Sequence, residues 1–292
     1  MEVIATSGLA SGRAAPQKIS MAHIEPVSDA DDPRLEPYCA VRERDLVGRD
    51  GLFVAEGRVV LEKLARAGLH PIRSLLIAEA RLPSLLTLMD ELPPDVPAYV
   101  APQGVMDAVA GFPMHRGILA IGERRLTPAD ELLAGLGPSA LVVALSAIAN
   151  HDNMGGIFRN AAAFGADAVL LDAACCDPLY RKAIRVSVGA ALTTPFARLA
   201  AGADLAQALA AAGLEVVALS PRGAVELGDL SCGPRVAAVF GAEGPGLDAE
   251  LLARSRSVRI GMADGFDSLN VATTSGLVLY QLSKQRSAER RA

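Results

Sequence analysis

From about residue 50 onward, short continuous apolar runs alternate with stretches in which apolar residues recur at helical spacing. "GLFVAEG" reads as a strand, "RVVLEKLARAG" as a helix ending at Gly68, and "IRSLLIAEA" as a strand. "LPSLLTLMDEL" follows as a helix, "AYVAP" as a strand, "QGVMDAVAG" as a helix and "GILAIGE" as a strand. A less apolar stretch, "RRLTPADELLAGLGPSA", reads as a linker with one short helix. A second alternation opens at residue 141, with strands at "LVVALSAI", "AVLLD", "EVVALS", "VAAVFG" and "SVRIGM".

Continuous apolar strands separated by helices predict a parallel sheet covered on both faces. Ligands of such sheets bind in the loops beyond the carboxyl ends of the strands. The chain therefore divides into a lead over 1–22, an α/β unit over 23–125, a linker over 126–140 and a parallel-sheet domain over 141–292. The lead has neither the basic start nor the unbroken apolar stretch of a secretory signal, and reads as disordered, with Met21 an alternative start.

Composition narrows the classes. In 292 residues, 51% are apolar, enough for a large core, but aromatics are 4% and Trp is absent, so Ala, Val and Leu must fill it. No apolar run reaches the length of a membrane span. A net charge of -5 argues against a uniformly basic nucleic-acid binder, although one face of an acidic domain can still be basic. The basic stretches are "YRKAIR" at 180–185 and "SKQRSAERRA" at the end. Cys39, Cys175, Cys176 and Cys232 form no C-x-x-C pair, which predicts a reduced, cytoplasmic protein without structural zinc.

Three loops carry candidate chemistry. The first, "NHDNMGGIFRNAAAFG" at 150–165, places Asp152 or Asn153 as a helix cap, with Gly155 and Arg159 four apart on one face. Gly155 is expected to clear space for a ligand, and Arg159 to project one turn further on. The second, "VFGAEGPGL" at 239–247, has Glu243 where a dinucleotide-binding loop needs glycine. Its Pro245 lacks the N–H of a phosphate cradle, so the loop suits a neutral or cationic small molecule. The third, "IGMADGFDSLNVATTSG" at 260–276, reads as a strand ending at Met262, then a loop with Ser268 as helix cap. Capping by Ser268 leaves Asn270 unexplained.

Together, Asn153-x-Gly155-x-x-x-Arg159, Gly241-x-Glu243-x-x-Gly246 and Ser268-Leu269-Asn270 resemble the three signature motifs of the SpoU (TrmH-type) family. These are RNA 2′-O-ribose methyltransferases of the SPOUT superfamily. "RVSVGA" at 185–190 resembles the family's helix between the first two motifs. Through "FVAEG" and "HRGILAI", residues 50–122 more loosely resemble its ribosomal-protein-like, substrate-binding α/β domain. The chain departs in having "HDN" where "DPxN" is common, and "VATTSGL" after the third motif.

The resemblance implies a parallel-sheet domain with a deep trefoil knot, S-adenosylmethionine as cofactor, RNA (ribosomal or transfer) as substrate, and a homodimer. The cofactor would lie at Gly241, Ile260 and Leu269, with Met262 and Asn270 beside it. Arg159 would stand at the reacting hydroxyl. Because arginine keeps its proton, its expected role is to clamp the adjacent phosphate and polarise the oxygen, with phosphate or water as proton acceptor. Asn153 would orient this arginine or the ribose, Glu243 would brace the cofactor loop, and Ser268 and Asn270 would hold the knot loop and hydroxyl; no metal is needed. Two other readings are a nicotinamide-dependent oxidoreductase, opposed by Glu243 and Pro245, and a non-catalytic RNA-binding protein, which leaves Arg159 and Ser268-Leu269-Asn270 without a role.

Overall fold

The computed structural model describes residues 23–39, 46–266 and 268–289. The lead over 1–22, with Met21, lies outside the described residues. Two sheets organise the chain. The first contains β1 (His23–Pro26), β2 (Leu52–Glu56), β3 (Ile72–Ala78), β4 (Pro97–Ala101) and β5 (Ile118–Glu123), in the order β1-β4-β3-β5-β2. β5 runs antiparallel to both β2 and β3, and the other pairs are parallel. β1 carries little apolar signal and forms as an edge strand along β4. Between the strands lie α1 (Arg58–Ala67), which ends at left-handed Gly68 as expected, α2 (Leu86–Asp90) and α3 (Gln103–Ala110).

After the short α4 (Ala129–Ala134) come β6 (Ala140–Leu145), α5 (His151–Ala163), β7 (Ala168–Leu171), α6 (Arg181–Val186) and β8 (Phe196–Arg198). Then follow α7 (Leu205–Ala211), β9 (Glu215–Leu219), β10 (Val225–Glu226), β11 (Arg235–Phe240), α8 (Ala249–Ala253), β12 (Arg256–Arg259) and α9 (Val271–Glu289). The seven strands form one wholly parallel sheet, ordered β10-β12-β9-β11-β6-β7-β8. β8 and β10 escaped the sequence reading because strands of three and two residues show no periodicity. β12 ends at Arg259 rather than Met262, because its neighbour β10 offers no partner beyond Glu226.

Successive residues of the central strands serve opposite faces. Leu141, Val143 and Leu145 face α5 and α9, with Val236, Ala238 and Phe240 beside them. Ala140, Val142, Ala144, Ala237 and Val239 face α4, α7 and α8. The first of these cores continues without a break into Phe53, Leu75 and Ile77 of the first sheet and Leu61 of α1. Each fully buried Leu or Phe contributes on the order of 2 kcal/mol of transfer free energy, so this shared core holds the two sheets together.

The strand order fixes where chemistry can occur. From β6 the chain moves outward through β7 and β8, then crosses to β9, and β11 inserts between β9 and β6. The carboxyl ends of β6 and β11 thus flank the point where the winding reverses, the crevice in which such sheets hold ligands.

Candidate active site

The loop after β6 is pinned from its neighbour. Asp172, just past β7, accepts from Ser146 Oγ and Ala147 N at 2.9 Å with one oxygen, and from Ala174 N and Cys175 N with the other. This holds Ala147 at φ 55, a conformation that costs a non-glycine residue free energy. The chain then enters α5 through Asn150, whose Oδ1 accepts from Asp152 N at 2.7 Å and Asn153 N at 3.3 Å. Asn150, in extended conformation, is therefore the cap. Asp152 and Asn153, expected to cap, lie inside the first turn, which frees the Asn153 side chain for another use.

The two glycines have separate steric roles. A Cβ on Gly155 would lie 2.7 Å from Val186 Cβ and 2.8 Å from the Ala183 carbonyl of α6. One on Gly156 would lie 2.7 Å from Ala272 Cβ of α9. Gly155 is thus a helix-crossing point and not the ligand opening expected of it. One turn on from Gly156, Asn160 Nδ2 donates to Ala272 O at 2.7 Å and Ser275 Oγ at 2.9 Å. Helical spacing from Gly156 was the signal that could have singled out Asn160. One turn on from Gly155, Arg159 is exposed, and among the described residues its side chain has no hydrogen bond or ion pair.

The loop after β11 closes on itself. Gly246 N donates to Ala242 O at 3.1 Å, and a Cβ on Gly241 would lie 2.6 Å from the Gly246 carbonyl carbon, so position 241 admits only glycine. Its tip presents Glu243 to solvent.

The third loop delivers Asn270. Its Oδ1 accepts from Ala272 N at 2.9 Å and Thr273 N at 3.2 Å, so Asn270 caps α9. Ser268, expected to cap, lies two residues too early for a helix that starts at Val271. On its other side, Asn270 Nδ2 donates to Asn153 Oδ1 at 2.8 Å and Glu243 Oε1 at 2.9 Å. One amide thus joins all three loops. The half-buried Ile260 and Met262 and the exposed Leu269 lie on the same loop as Asn270. Neither 241–247 nor 260–266 contains a Lys or Arg, and with Glu243 this lining suits a cationic ligand with an apolar ring system. Arg159 makes no bond to the junction; six residues beyond Asn153, it stands about 9 Å further along the helix axis.

The segment over 177–189 packs beside this site. Tyr180 stacks on His151 with ring centroids 4.1 Å apart, and Lys182 pairs with Asp152 at 2.6 Å. Burial, and then the Lys182 charge, push the His151 pKa below the ordinary imidazole value. The same segment binds the first sheet. Arg181 donates to Glu56 Oε2 at 2.9 and 3.2 Å, Arg124 meets Asp177 at 3.1 Å, and Lys63 donates to Val188 O at 2.7 Å. Glu56 and Arg181 lie too far apart in sequence for any local pattern to pair them.

Burial raises the Cys175 thiol to about 12, and Cys176 and Cys232 to about 11, which suits inert packing. Among the described residues, no three His, Cys, Asp or Glu are grouped to hold a metal ion, and no helix is long and apolar enough to cross a membrane.

Known proteins resemble this chain in sequence and fold. Residues 140–280 match the SpoU rRNA Methylase family. An uncharacterized tRNA/rRNA methyltransferase of Mycobacterium tuberculosis (strain CDC 1551 / Oshkosh) is 38% identical over 272 residues, covering 89% of this chain and 92% of its own. The crystal structure of an AdoMet-bound rRNA methyltransferase from Sinorhizobium meliloti superposes with a TM-score of 0.77 at 23% identity, covering 89% of this chain and 98% of that one. The crystal structure of an RNA 2′-O ribose methyltransferase gives 0.71 at 22%, covering 90% and 100%. At such identities the two structures establish the α/β fold.

Proposed function

The chain belongs to the SpoU rRNA methylase family, and from that premise we propose that it methylates a ribose 2′-hydroxyl of ribosomal or transfer RNA, using S-adenosylmethionine. The observation that carries this reading is the junction of Asn153, Glu243 and Asn270 at the point where the strand order reverses. The cofactor supplies an electrophilic methyl group on a cationic sulfur. Gly241, Ile260, Met262, Leu269 and Asn270 hold it, in loops that carry a carboxylate and no basic side chain.

The protein's own contribution is alignment, which in a bimolecular displacement is worth several kcal/mol. Asn270 fixes both Asn153 and the Glu243 loop, and so sets the floor on which ribose and methyl donor meet. Arg159, with its free planar guanidinium, clamps the phosphate beside the target ribose and polarises the 2′-oxygen. It keeps its own proton, so the hydroxyl proton leaves to a phosphate oxygen or water. Ser268 steadies the loop that presents Asn270.

Several further assignments follow from the family. The insertion of β11 between β6 and β9, followed by the return of the chain to pack α9 on α5, supports a deep trefoil knot. Residues 23–125 serve as the RNA-binding domain, 126–140 as linker and 141–292 as the methyltransferase domain. Leu277 and Tyr280, both exposed on α9, support a homodimer through the second domain. The protein works in the cytoplasm.

Two measurements test the proposal. Titration calorimetry of the full chain is expected to show heat with S-adenosylmethionine and none with NAD. Mapping of 2′-O-methylation in RNA from cells with and without the gene is expected to reveal one site that disappears. Binding of NAD in place of S-adenosylmethionine, or an unchanged methylation map, overturns it.

A further inference from the structure

We propose that a row of guanidinium groups, Arg81, Arg116, Arg181, Arg185 and Arg159, forms the track along which substrate RNA crosses from the first domain to the reactive face of α5. The inference rests on RNA being the substrate.

Each member of the row leads to the next. Exposed Arg81 donates to His115 O at 3.1 Å, and Arg116 is the following residue. Arg116 approaches the Glu56 carbonyl at 3.5 Å and the Glu56 carboxylate at 3.9 Å, and that carboxylate holds Arg181 at 2.9 Å. Arg181 opens α6, and Arg185 lies one turn along it on the exposed side. α6 packs on Gly155 of α5, and Arg159 lies one turn beyond Gly155.

Three members of this row, Arg81, Arg185 and Arg159, have no carboxylate partner among the described residues. Arg34, Arg254, Arg256 and Arg259 each hold a carboxylate within 3.1 Å. Along the row, Glu56 is shared by Arg116 and Arg181, and among the described residues the Arg81 guanidinium bonds only to the His115 carbonyl. Among the described residues the Arg185 and Arg159 side chains have no hydrogen bond or ion pair. Asp152, in the first turn of α5, is engaged by Lys182. In a chain of net charge -5, a row of five guanidiniums served by one shared carboxylate, with Arg81, Arg185 and Arg159 unpaired by any carboxylate among the described residues, favours an anionic partner with repeated charges. Guanidinium is also the group best matched to phosphate, through paired N–H donors.

An aromatic ring interleaves the row. Phe112 is 42% exposed, and the Arg181 guanidinium lies over its ring at 5.1 Å. An exposed ring beside a cation offers an unpaired base the pairing of stacking and charge used for single strands. This favours RNA in single-stranded form at the seam.

The test uses the full chain and fluorescein-labelled oligouridylate, which reports phosphate binding and base stacking without sequence. Arg81→Gln and Arg116→Gln are each expected to weaken binding several-fold and to lower the salt slope by about 0.7 for each phosphate that is no longer neutralised. Arg185→Gln in addition is expected to lower both further. Arg254→Gln, the same charge change off the row, is expected to leave affinity and slope at wild-type values. Melting temperature and calorimetric affinity for S-adenosylmethionine are expected to stay unchanged in Arg81→Gln and Arg116→Gln, which separates weakened RNA binding from misfolding. If the row variants behave like Arg254→Gln while wild type still methylates RNA, the track is wrong and the enzymatic reading stands. If row variants lose affinity but wild type moves no methyl group to RNA, the enzymatic reading falls alone.

Discussion

The amide of Asn270 donates to the side-chain oxygen of Asn153 at 2.8 Å, across 117 residues of sequence. The same nitrogen reaches Glu243, while the amide oxygen caps α9. Only a carboxamide can accept on one side and donate twice on the other, which is the use for Asn270 that capping alone left open. Asn270→Ala removes cap and ties together and is expected to cost about 1 kcal/mol of stability as well as activity. Asn270→Asp separates the two roles. The cap survives, but a carboxylate now faces the oxygens of Asn153 and Glu243, so the junction opens. Single-turnover methyl transfer is expected to fall roughly a hundredfold, with a smaller loss of stability than in Asn270→Ala. Near wild-type transfer by Asn270→Asp would show that the junction does not align the reaction.

Arg159 presents the opposite case, a side chain with no hydrogen bond or ion pair among the described residues. Arg159→Ala is expected to change unfolding free energy by no more than about 0.5 kcal/mol. Methyl transfer at saturating cofactor is expected to drop by roughly a factor of a hundred, the scale for losing a charge-stabilising group. Arg159→Lys is expected to recover little, because a point charge does not reproduce a planar fork on phosphate. A variant that transfers methyl normally removes Arg159 from the reaction, and one that unfolds assigns it to the scaffold.

The strands of the second domain were legible because two-sided burial writes continuous apolar runs into the sequence, as in Ala140–Leu145. The caps were not, since several short polar residues compete at each helix start. Asn150, Asp152 and Asn153 can all cap, and backbone conformation selects Asn150. At Ser268 and Asn270 the choice follows from where α9 begins. The glycine pair announced a missing Cβ, but not the helices that occupy the space. Likewise "FVAEG" was visible as a motif, while the partner of its Glu56, Arg181, became visible only in the assembled seam.

That seam also contains a titrating group. His70 is buried, edge-on to Phe53 at 5.4 Å, and its Nδ1 accepts from Arg125 N at 3.2 Å. Burial, reinforced by Arg124 and Arg125 and opposed by Asp177, lowers its pKa from 6.5 to about 4. As pH falls from 6.5 towards 4, the unfolded chain takes up a proton that the folded protein refuses, so stability is lost through that window and levels off below it. Above 6.5 both states are neutral and the contribution is flat. Urea midpoints measured against pH are expected to fall more steeply for wild type than for His70→Gln between these limits. Parallel curves would mean that His70 titrates normally.

The glycine pair yields the most discriminating prediction. In an exposed helix interior, Gly→Ala stabilises by roughly 1 kcal/mol through backbone entropy and helix propensity. Gly104, exposed at the second position of α3, where a Cβ meets nothing within 4 Å, supplies an unhindered reference within the same molecule. At Gly155 the added methyl would meet Val186 Cβ at 2.7 Å and a main-chain oxygen of α6 at 2.8 Å, and neither can rotate away. At Gly156 it would meet Ala272 Cβ at 2.7 Å, in the first turn of α9. Overpacking of this kind costs about 1–3 kcal/mol, enough to reverse the sign set by propensity. Gly104→Ala is therefore expected to raise the urea midpoint, and Gly155→Ala and Gly156→Ala to lower it, with an unchanged slope. Gly156→Ala is expected to impair methyl transfer beyond its stability loss, because displacing Ala272 moves the turn that Asn270 caps and with it the tie to Asn153 and Glu243. If Gly155→Ala stabilises as Gly104→Ala does, α6 does not seat on α5 through that glycine, and the space there belongs to a ligand after all.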